Sequence, residues 1–356
     1  MALLLLDRAQ LEIKSEGDTL ALYEAGTRRG TVPIKLFDRC VIHGAQTRLD
    51  TGVLIKLAEA GVTTTLMSPR SPRRVALVLG AQHNDAAVRL AQSQRVLDDS
   101  ACRQWAQALV HAKLQRQVRT LRVMQAARPD ARKPLFDAIH TVQTLLTQVP
   151  ASAGSTPSTI NIEAGSGYST RASGPMDVKS NTLATLRGFE GAAARAYFAG
   201  IASVFAPALG FGGRNRRPPR DPVNVCLSLS YTMAHLQAVQ SCISAGLDPL
   251  LGFYHRPSFG RESLASDLIE PLRPAIDLWV WQNLLRQGPL TADHFSLDKG
   301  ACILGKAGRA IYYRQWEQGS KPWARWLRGQ CQALARGLRA QGELWLAHPD
   351  EDDEAC

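Results

Sequence analysis

The sequence predicts an α+β protein: a small β-rich N-terminal domain over residues 1–83, a larger all-α C-terminal domain over residues 84–349 that carries the candidate active site, and an acidic tail at 350–356. Three observations lead there. Short apolar runs bounded by turn residues fill about the first 80 residues, whereas beyond Asn84 the apolar positions recur at helical spacing over long stretches. The 356 residues exceed the usual size of one domain, and 45% apolar content is enough to bury a sizeable core.

In order along the chain, "ALLLL", "QLEIKS", "TLALYE", "TVPI", "RCVIHG", "TTTLM" and "RVALVLG" read as strands. Leu11/Ile13 and Leu20/Leu22 show period-two alternation, and the "EGD" between those runs reads as a hairpin turn. One helix interrupts, "TGVLIKLAEAG", with Thr51 as its expected N-cap and Gly61 as its stop. The stretch "DDSACRQWAQALVHAKLQRQVRTLRVMQAA" then places Trp105, Leu109, Ala112, Val118 and Leu121 on a helical repeat. The Ser, Thr, Gly and Pro of Val149 to Pro175 read as a mobile loop inside the helical domain. Near the C-terminus Trp316, Trp323, Trp326, Arg325 and Arg328 gather rings and guanidinium groups suited either to packing or to contacting a ligand at the surface.

Several function classes are disfavoured. The run "ALLLL" is far below the roughly 20 residues of a membrane span, Asp7 and Arg8 close it, and no basic segment precedes it, so a cytoplasmic protein is expected. Cys40, Cys102, Cys226, Cys242, Cys302, Cys331 and Cys356 form no CxxC pair, which argues against a zinc cluster or a disulfide framework. No Walker loop and no GxGxxG is present. Against that background, 42 Lys+Arg face 31 Asp+Glu, a net charge of +11, and the excess is mostly arginine. The planar guanidinium forks onto phosphate oxygens, so a polyanion is the natural partner.

The densest chemistry lies in "GFYHRPSFGRESLASDLIEPLRP". Leu264, Leu268 and Leu272 form an apolar stripe if the segment is helical, which puts Asp267 and Glu270 on one face, close enough to share a cation. Pro271 and Pro274 are expected to kink or end that helix. His255 with two carboxylates makes an oxygen-rich donor set, the preference of Mg²⁺ or Mn²⁺ rather than zinc. The competing reading is a solvated acidic face paired to Arg261 or Arg273. A third acid, Glu190 in "NTLATLRGFEGAAARAYF", is flanked by Gly188 and Gly191, which admit a close backbone or a ligand; the alternative is simple pairing of Glu190 with Arg187 or Arg195. Between these patches "GFGGRNRRPPRDPVN" crowds Arg214, Arg216, Arg217 and Arg220 into a loop suited to following a phosphate backbone, or else tied internally to Asp221. Arg256 and Arg261 flank the histidine motif as further candidate nucleic-acid contacts.

The blocks "LRGFEGAAARAYF", "RRPPRDPVN", "GFYH" and "SLASDLIEPLRP", in this order and spacing, resemble the CRISPR adaptation integrase family, CRISPR-associated protein one. The segment "PIKLFDRCVIHGAQTRLDTGVLIKLAEAGVTTTLMS" is similar to that family's β-domain, and the likeness runs over about residues 1–320. The resemblance implies a β-rich domain that makes the homodimer contact, an all-α domain that carries the active site, and a second small CRISPR adaptation protein that bridges two dimers on a short DNA duplex. It implies metal ligands at Glu190, His255 and Glu270, an assisting acid at Asp267 and DNA contacts from the arginine-rich loop; it leaves open whether a reverse transcriptase from the same locus is a partner that supplies RNA-derived fragments.

The expected activity is a divalent-metal-dependent joining of 3′-hydroxyl ends of short DNA fragments to a repeat array by direct transesterification, with endonuclease side activity from water attack. One rival is a stand-alone metal-dependent nuclease acting on branched or repair DNA. Another is a non-catalytic DNA-binding assembly subunit whose acids are structural.

Overall fold

The computed structural model describes residues 3–43, 46–67, 74–78, 80, 85–149, 182–215 and 218–346. The expected loop beyond Val149, Arg216, Arg217 and the acidic tail lie outside the described residues. The chain divides into two compact units, Met1–His83 with Tyr313–Lys321, and Asn84–Tyr312 with Pro322–Cys356. The piece Tyr313–Lys321, expected within the helical part, thus clusters with the β-rich one.

The first unit contains strands β1 (Leu3–Leu6), β2 (Leu11–Glu16), β3 (Thr19–Glu24), β4 (Thr27–Pro33), β5 (Arg39–Ile42) and β6 (Arg48–Leu49), helix α1 (Thr51–Glu59), and strands β7 (Thr63–Met67) and β8 (Arg74–Val78). They form two four-stranded sheets, β1-β5-β7-β8 and β4-β3-β2-β6. All seven predicted runs contain strand; the two-residue β6, too short to show alternation, went unrecognised. The β2–β3 hairpin closes between Glu16 and Thr19 as the "EGD" predicted, with Gly17 at φ +58°. Leu11, Ile13 and Leu20 from one sheet, Leu6, Cys40 and Ile42 from the other, and Val53 and Leu57 of α1 share one buried cluster. The α1 cap is Asp50 rather than Thr51: Asp50 has the extended backbone of a cap and accepts the Val53 N–H at 2.8 Å, which makes Thr51 the first helical residue. Gly61 ends the helix at φ +69°.

In the second unit, α2 (Ala86–Leu97) and α3 (Asp99–Ala127) are capped by Asp85 and Asp98, and α4 (Arg132–Gln148), α5 (Leu183–Ala202) and α6 (Pro222–Ser244) follow. Asp221 caps α6, with Pro222 at its first position, where a missing N–H costs nothing. Trp105, Leu109, Val118 and Leu121 of α3 are buried as their spacing predicted, while Ala112 is half-buried. A Cβ at Gly200 of α5 would lie 2.5 Å from the Ala138 Cβ of α4, so those helices meet at a glycine.

The decisive run follows. Helix α7 (Ser263–Ile269) passes through a 3₁₀ turn, Glu270–Leu272, into α8 (Arg273–Trp279) and a π-turn segment, Val280–Arg286. Pro271 and Pro274 therefore re-pitch the helix instead of ending it. Arg116 and Thr120 of α3 donate to the carbonyls of Pro271 and Pro274, at 2.9 and 3.0 Å, which anchors the run.

The helical part carries one exception to all-α: a hairpin of β9 (Phe295–Asp298) and β10 (Ala301–Leu304), turned by Lys299 and Gly300, both at positive φ. Helices α9 (Lys306–Gly319) and α10 (Lys321–Leu346) complete the described chain. The C-terminal tryptophans pack: Trp316 is fully buried, Trp323 meets Trp279 edge to face, and Arg116 lies 5.0 Å over the ring of Trp326. No helix among the described residues is long and apolar enough to cross a membrane.

Candidate active site

Four elements of the second unit bring the site together. Lys113 projects from α3, Glu190 from α5, His255 from the loop before α7, and Glu270 from the 3₁₀ turn; all four line one cleft of about 330 Å³.

His255 is fixed from behind by Asp267. That carboxylate is fully buried, and its oxygens accept the backbone N–H groups of Phe253, Tyr254 and His255 at 2.8, 2.9 and 2.9 Å. It also meets His255 Nδ1 at 2.7 Å. Because an ionised carboxylate only accepts, Nδ1 carries the proton and the Nε2 lone pair is left for another partner. A tight cradle there explains Gly252: a Cβ at that position would fall 2.5 Å from the Ser263 backbone carbon.

Glu270 and Glu190 converge on Lys113. The ammonium donates to Glu270 Oε2 at 2.5 Å and to Glu190 Oε1. Arg273 Nε lies 3.0 Å from Glu270 Oε1, an ion pair whose angle falls short of a hydrogen bond. Burial drives the Glu270 carboxyl upward, yet Arg273 and Lys113 override it and hold the group down at about 2. Burial likewise pulls the Lys113 ammonium down, and Glu270 and Glu190 return it above its ordinary value. The Tyr254 hydroxyl donates to Glu190 Oε2 at 2.5 Å; burial, then the Glu190 charge, push that phenol up, so it stays a neutral donor.

Below the pair lies Asp277, fully enclosed, accepting from Tyr197 at 2.9 Å and from Tyr231. Arg273 and Arg214 lie 4.6 and 5.4 Å over the Tyr231 ring. Lys113, Arg187, Arg214, Arg261 and Arg273 line the cleft against Glu190, Glu270 and Asp277, so cations outnumber carboxylates around it. Such a cleft attracts a phosphodiester in spite of its acids.

The sequence-derived residues fare differently. Glu190, His255, Asp267 and Glu270 are brought together, and Asp267 and Glu270 are buried rather than solvated. Asp267 supports His255 from behind and does not line the cleft with Glu270, against the expectation that the two share a cation. Glu270 does pair with Arg273, as the competing reading held. Glu190 pairs with neither Arg187 nor Arg195, because Lys113 and Tyr254 take its oxygens; Gly188 and Gly191 face open space rather than another backbone. Arg214 is tied internally, donating to Asn224 Oδ1 at 2.6 Å and Ser228 Oγ at 3.0 Å. Arg220 is exposed, Arg261 is exposed at the rim of the cleft, and Arg256 pairs with Asp99. Tyr254 and Arg273 stand beside His255 and Glu270 in sequence, and Arg273 was named there only as a pairing partner; Lys113 gave no signal, since only the fold brings α3 against the 3₁₀ turn.

A family model described as CRISPR associated protein Cas1 matches residues 4–318. The CRISPR-associated endonuclease Cas1 of Thermodesulfovibrio yellowstonii is 29% identical over 346 residues, covering 97% of this chain and 99% of that protein. Among solved structures, a casposase bound to integration product superposes with a TM-score of 0.75 at 18% identity, covering 96% of this chain and 91% of that one. A Cas6-RT-Cas1–Cas2 complex superposes at 0.70 and 21% identity, covering 95% of this chain and 35% of that one. The likeness to these two structures is one of fold.

Proposed function

The chain belongs to the CRISPR-associated Cas1 family, and from that premise we propose that it is a divalent-metal-dependent DNA integrase that joins the 3′-hydroxyl ends of short DNA fragments to a repeat array. The observation that carries this reading is the meeting of Glu190, His255 and Glu270 in one cleft whose rim is positively charged.

The donor set fits a hard divalent ion. Two glutamates already converge on a cation, the Lys113 ammonium, and the third donor is an imidazole whose Nδ1 is spent on Asp267. Oxygens with one nitrogen suit Mg²⁺ or Mn²⁺. Among the described residues no three His, Cys, Asp or Glu side chains yet gather tightly enough to hold an ion. Glu190, His255 and Glu270 would hold it, and a bound ion supplies a Lewis acid to a phosphate oxygen.

The chain's own residues do the rest. Asp267 keeps the His255 ring oriented, and Tyr254 fixes one oxygen of Glu190. Arg187, Arg261 and Arg273 offset the charge of the scissile phosphate. In the reaction the fragment's 3′-oxygen forms a new bond to phosphorus while the target's 3′-oxygen leaves; the attacking hydroxyl gives up a proton and the departing oxygen gains one. One phosphodiester replaces another, so no nucleoside triphosphate is consumed. Water in the attacking position gives cleavage, the expected side reaction.

The resemblance to a Cas6-RT-Cas1–Cas2 complex supports a Cas2-type partner bridging two homodimers, each formed through the β-rich unit, and a reverse transcriptase where one is present. The casposase bound to integration product supports strand joining over cleavage alone. The test is strand transfer by the full chain with its Cas2-type partner, a short duplex with free 3′-hydroxyls and a supercoiled plasmid bearing repeats. Joined product in Mn²⁺ and none in EDTA is expected; metal-dependent cleavage without joining makes the chain a stand-alone nuclease instead.

A further inference from the structure

Lys113 is left without a role by the reading above. Its side chain is one-tenth exposed, in the middle of α3, and its ammonium spans Glu190 Oε1 and Glu270 Oε2. A lysine is seldom buried so deeply unless it compensates charge. Each carboxylate has a second anchor besides it. Glu190 keeps Oε2 on the Tyr254 hydroxyl, and Glu270 keeps Oε1 beside Arg273. Each glutamate thus holds one oxygen on a fixed neighbour and presents the other to the ammonium. The amine is a compact point charge on a flexible four-carbon stem, able to withdraw without moving α3. Tyr254 and Arg273 then remain to hold the two carboxylates in place.

We propose that Lys113 is the resident counter-cation of the Glu190–Glu270 pair: it fills the gap in the metal-free protein, keeps two carboxylates together that would otherwise repel, and is expelled by the entering divalent ion. The inference rests on the metal reading of this site. It carries two consequences. Without metal, Lys113 stabilises the fold. With metal, it is a competitor, so the measured affinity is weaker than the ligands alone would give. Once expelled, the ammonium stays in the cleft that it lines and adds a positive charge facing the phosphate.

The experiment is Mn²⁺ titration by calorimetry into the full chain as wild type, Lys113→Met and Lys113→Arg, with thermal unfolding of each in EDTA and in saturating Mn²⁺. Lys113→Met removes the charge and is expected to bind Mn²⁺ about tenfold more tightly or better, because the competing charge is gone. It is expected to unfold at lower temperature than wild type in EDTA, with Mn²⁺ closing the difference. Lys113→Arg keeps the charge and binds no more tightly than wild type. A Lys113→Met protein that folds only when Mn²⁺ is present supports the proposal; one that Mn²⁺ does not rescue overturns it. Equal or weaker Mn²⁺ binding by Lys113→Met, beside clear binding by wild type, removes the proposal alone. No Mn²⁺ binding by any of the three removes the metal reading itself, and the proposal with it.

Discussion

Glu270 and Asp277 stand seven residues apart on one continuous helical run, both buried, and they are answered in opposite ways. Glu270 faces cations, and Arg273 and Lys113 hold its carboxyl at about 2 against the upward push of burial. Asp277 accepts from the hydroxyls of Tyr197 and Tyr231 and also feels the charges of Arg214 and Arg273; burial outweighs them all, and the group is pushed up to about 6. Arg273 and Lys113 outweigh desolvation at Glu270, whereas two hydroxyl donors together with the charges of Arg214 and Arg273 offset only part of it at Asp277. One helix therefore carries an acid that stays ionised through any working pH and another that gives up its charge in mild acid. Only the first suits a metal ligand.

The largest effect should separate the two acids by activity. Glu270→Gln is expected to lower strand transfer by about a thousandfold or more, since the proposed function makes Glu270 a charged ligand at the reacting centre. Asp277→Asn, which keeps the shape and one of the two acceptor oxygens, should cost less than about tenfold, because Asp277 is not among the proposed metal ligands. Comparable losses in both would dissolve the distinction. Asp267→Asn, which weakens the support behind His255, should lie between them, at about 10- to 100-fold, with Mn²⁺ affinity falling in parallel.

Stability sharpens the contrast. Replacing Glu270 by Ala leaves Lys113 and Arg273 short of a partner and should cost about 3–5 kcal/mol by chemical denaturation at neutral pH. Tyr231→Phe removes one neutral donor from Asp277 and should cost about 1–3 kcal/mol. The pH dependences have opposite signs. The folded value of Glu270 lies below its ordinary 4.5, so its contribution is present above that pH and lost as pH falls toward about 2. The folded value of Asp277 lies above its ordinary 3.8, so its contribution is complete below that pH and lost as pH rises through about 6. Asp277→Asn should therefore gain on wild type across that upper window, and a flat difference between pH 4 and 7 by denaturant titration would contradict the assignment. At the small end, the exposed Lys133–Asp137 pair is a control: Lys133→Ala should change stability by less than about 0.5 kcal/mol.

How much of this was legible beforehand depends on how far apart the partners lie in sequence. The β-runs declare themselves by local alternation, and the fold class follows from them. Asp50 and Thr51 are both competent caps, so sequence does not decide between neighbours whose backbone angles do. The "DKG" turn of the β9–β10 hairpin is a local signal that went unread within a helical background. His255, Asp267 and Glu270 fall within 16 residues, so their cluster is visible, although not that Asp267 would turn toward backbone N–H groups. Glu190 is a candidate from its glycine-flanked motif, but pattern alone does not separate a ligand from a partner of Arg187 or Arg195, and only the family resemblance favours the first. Lys113 sits 77 residues from Glu190 and 157 from Glu270 and reads as an ordinary helix-surface lysine. Long-range packing alone makes it a partner. Asp277 had a signal, its two-turn offset from Glu270, which places both on one face.

The most direct test of the account runs wild type, Glu270→Gln and Asp277→Asn side by side in the plasmid strand-transfer assay with Mn²⁺, each first shown to be folded. The account predicts joined product from wild type and Asp277→Asn and none from Glu270→Gln. Joining that survives in Glu270→Gln, or that disappears equally in Asp277→Asn, would contradict it.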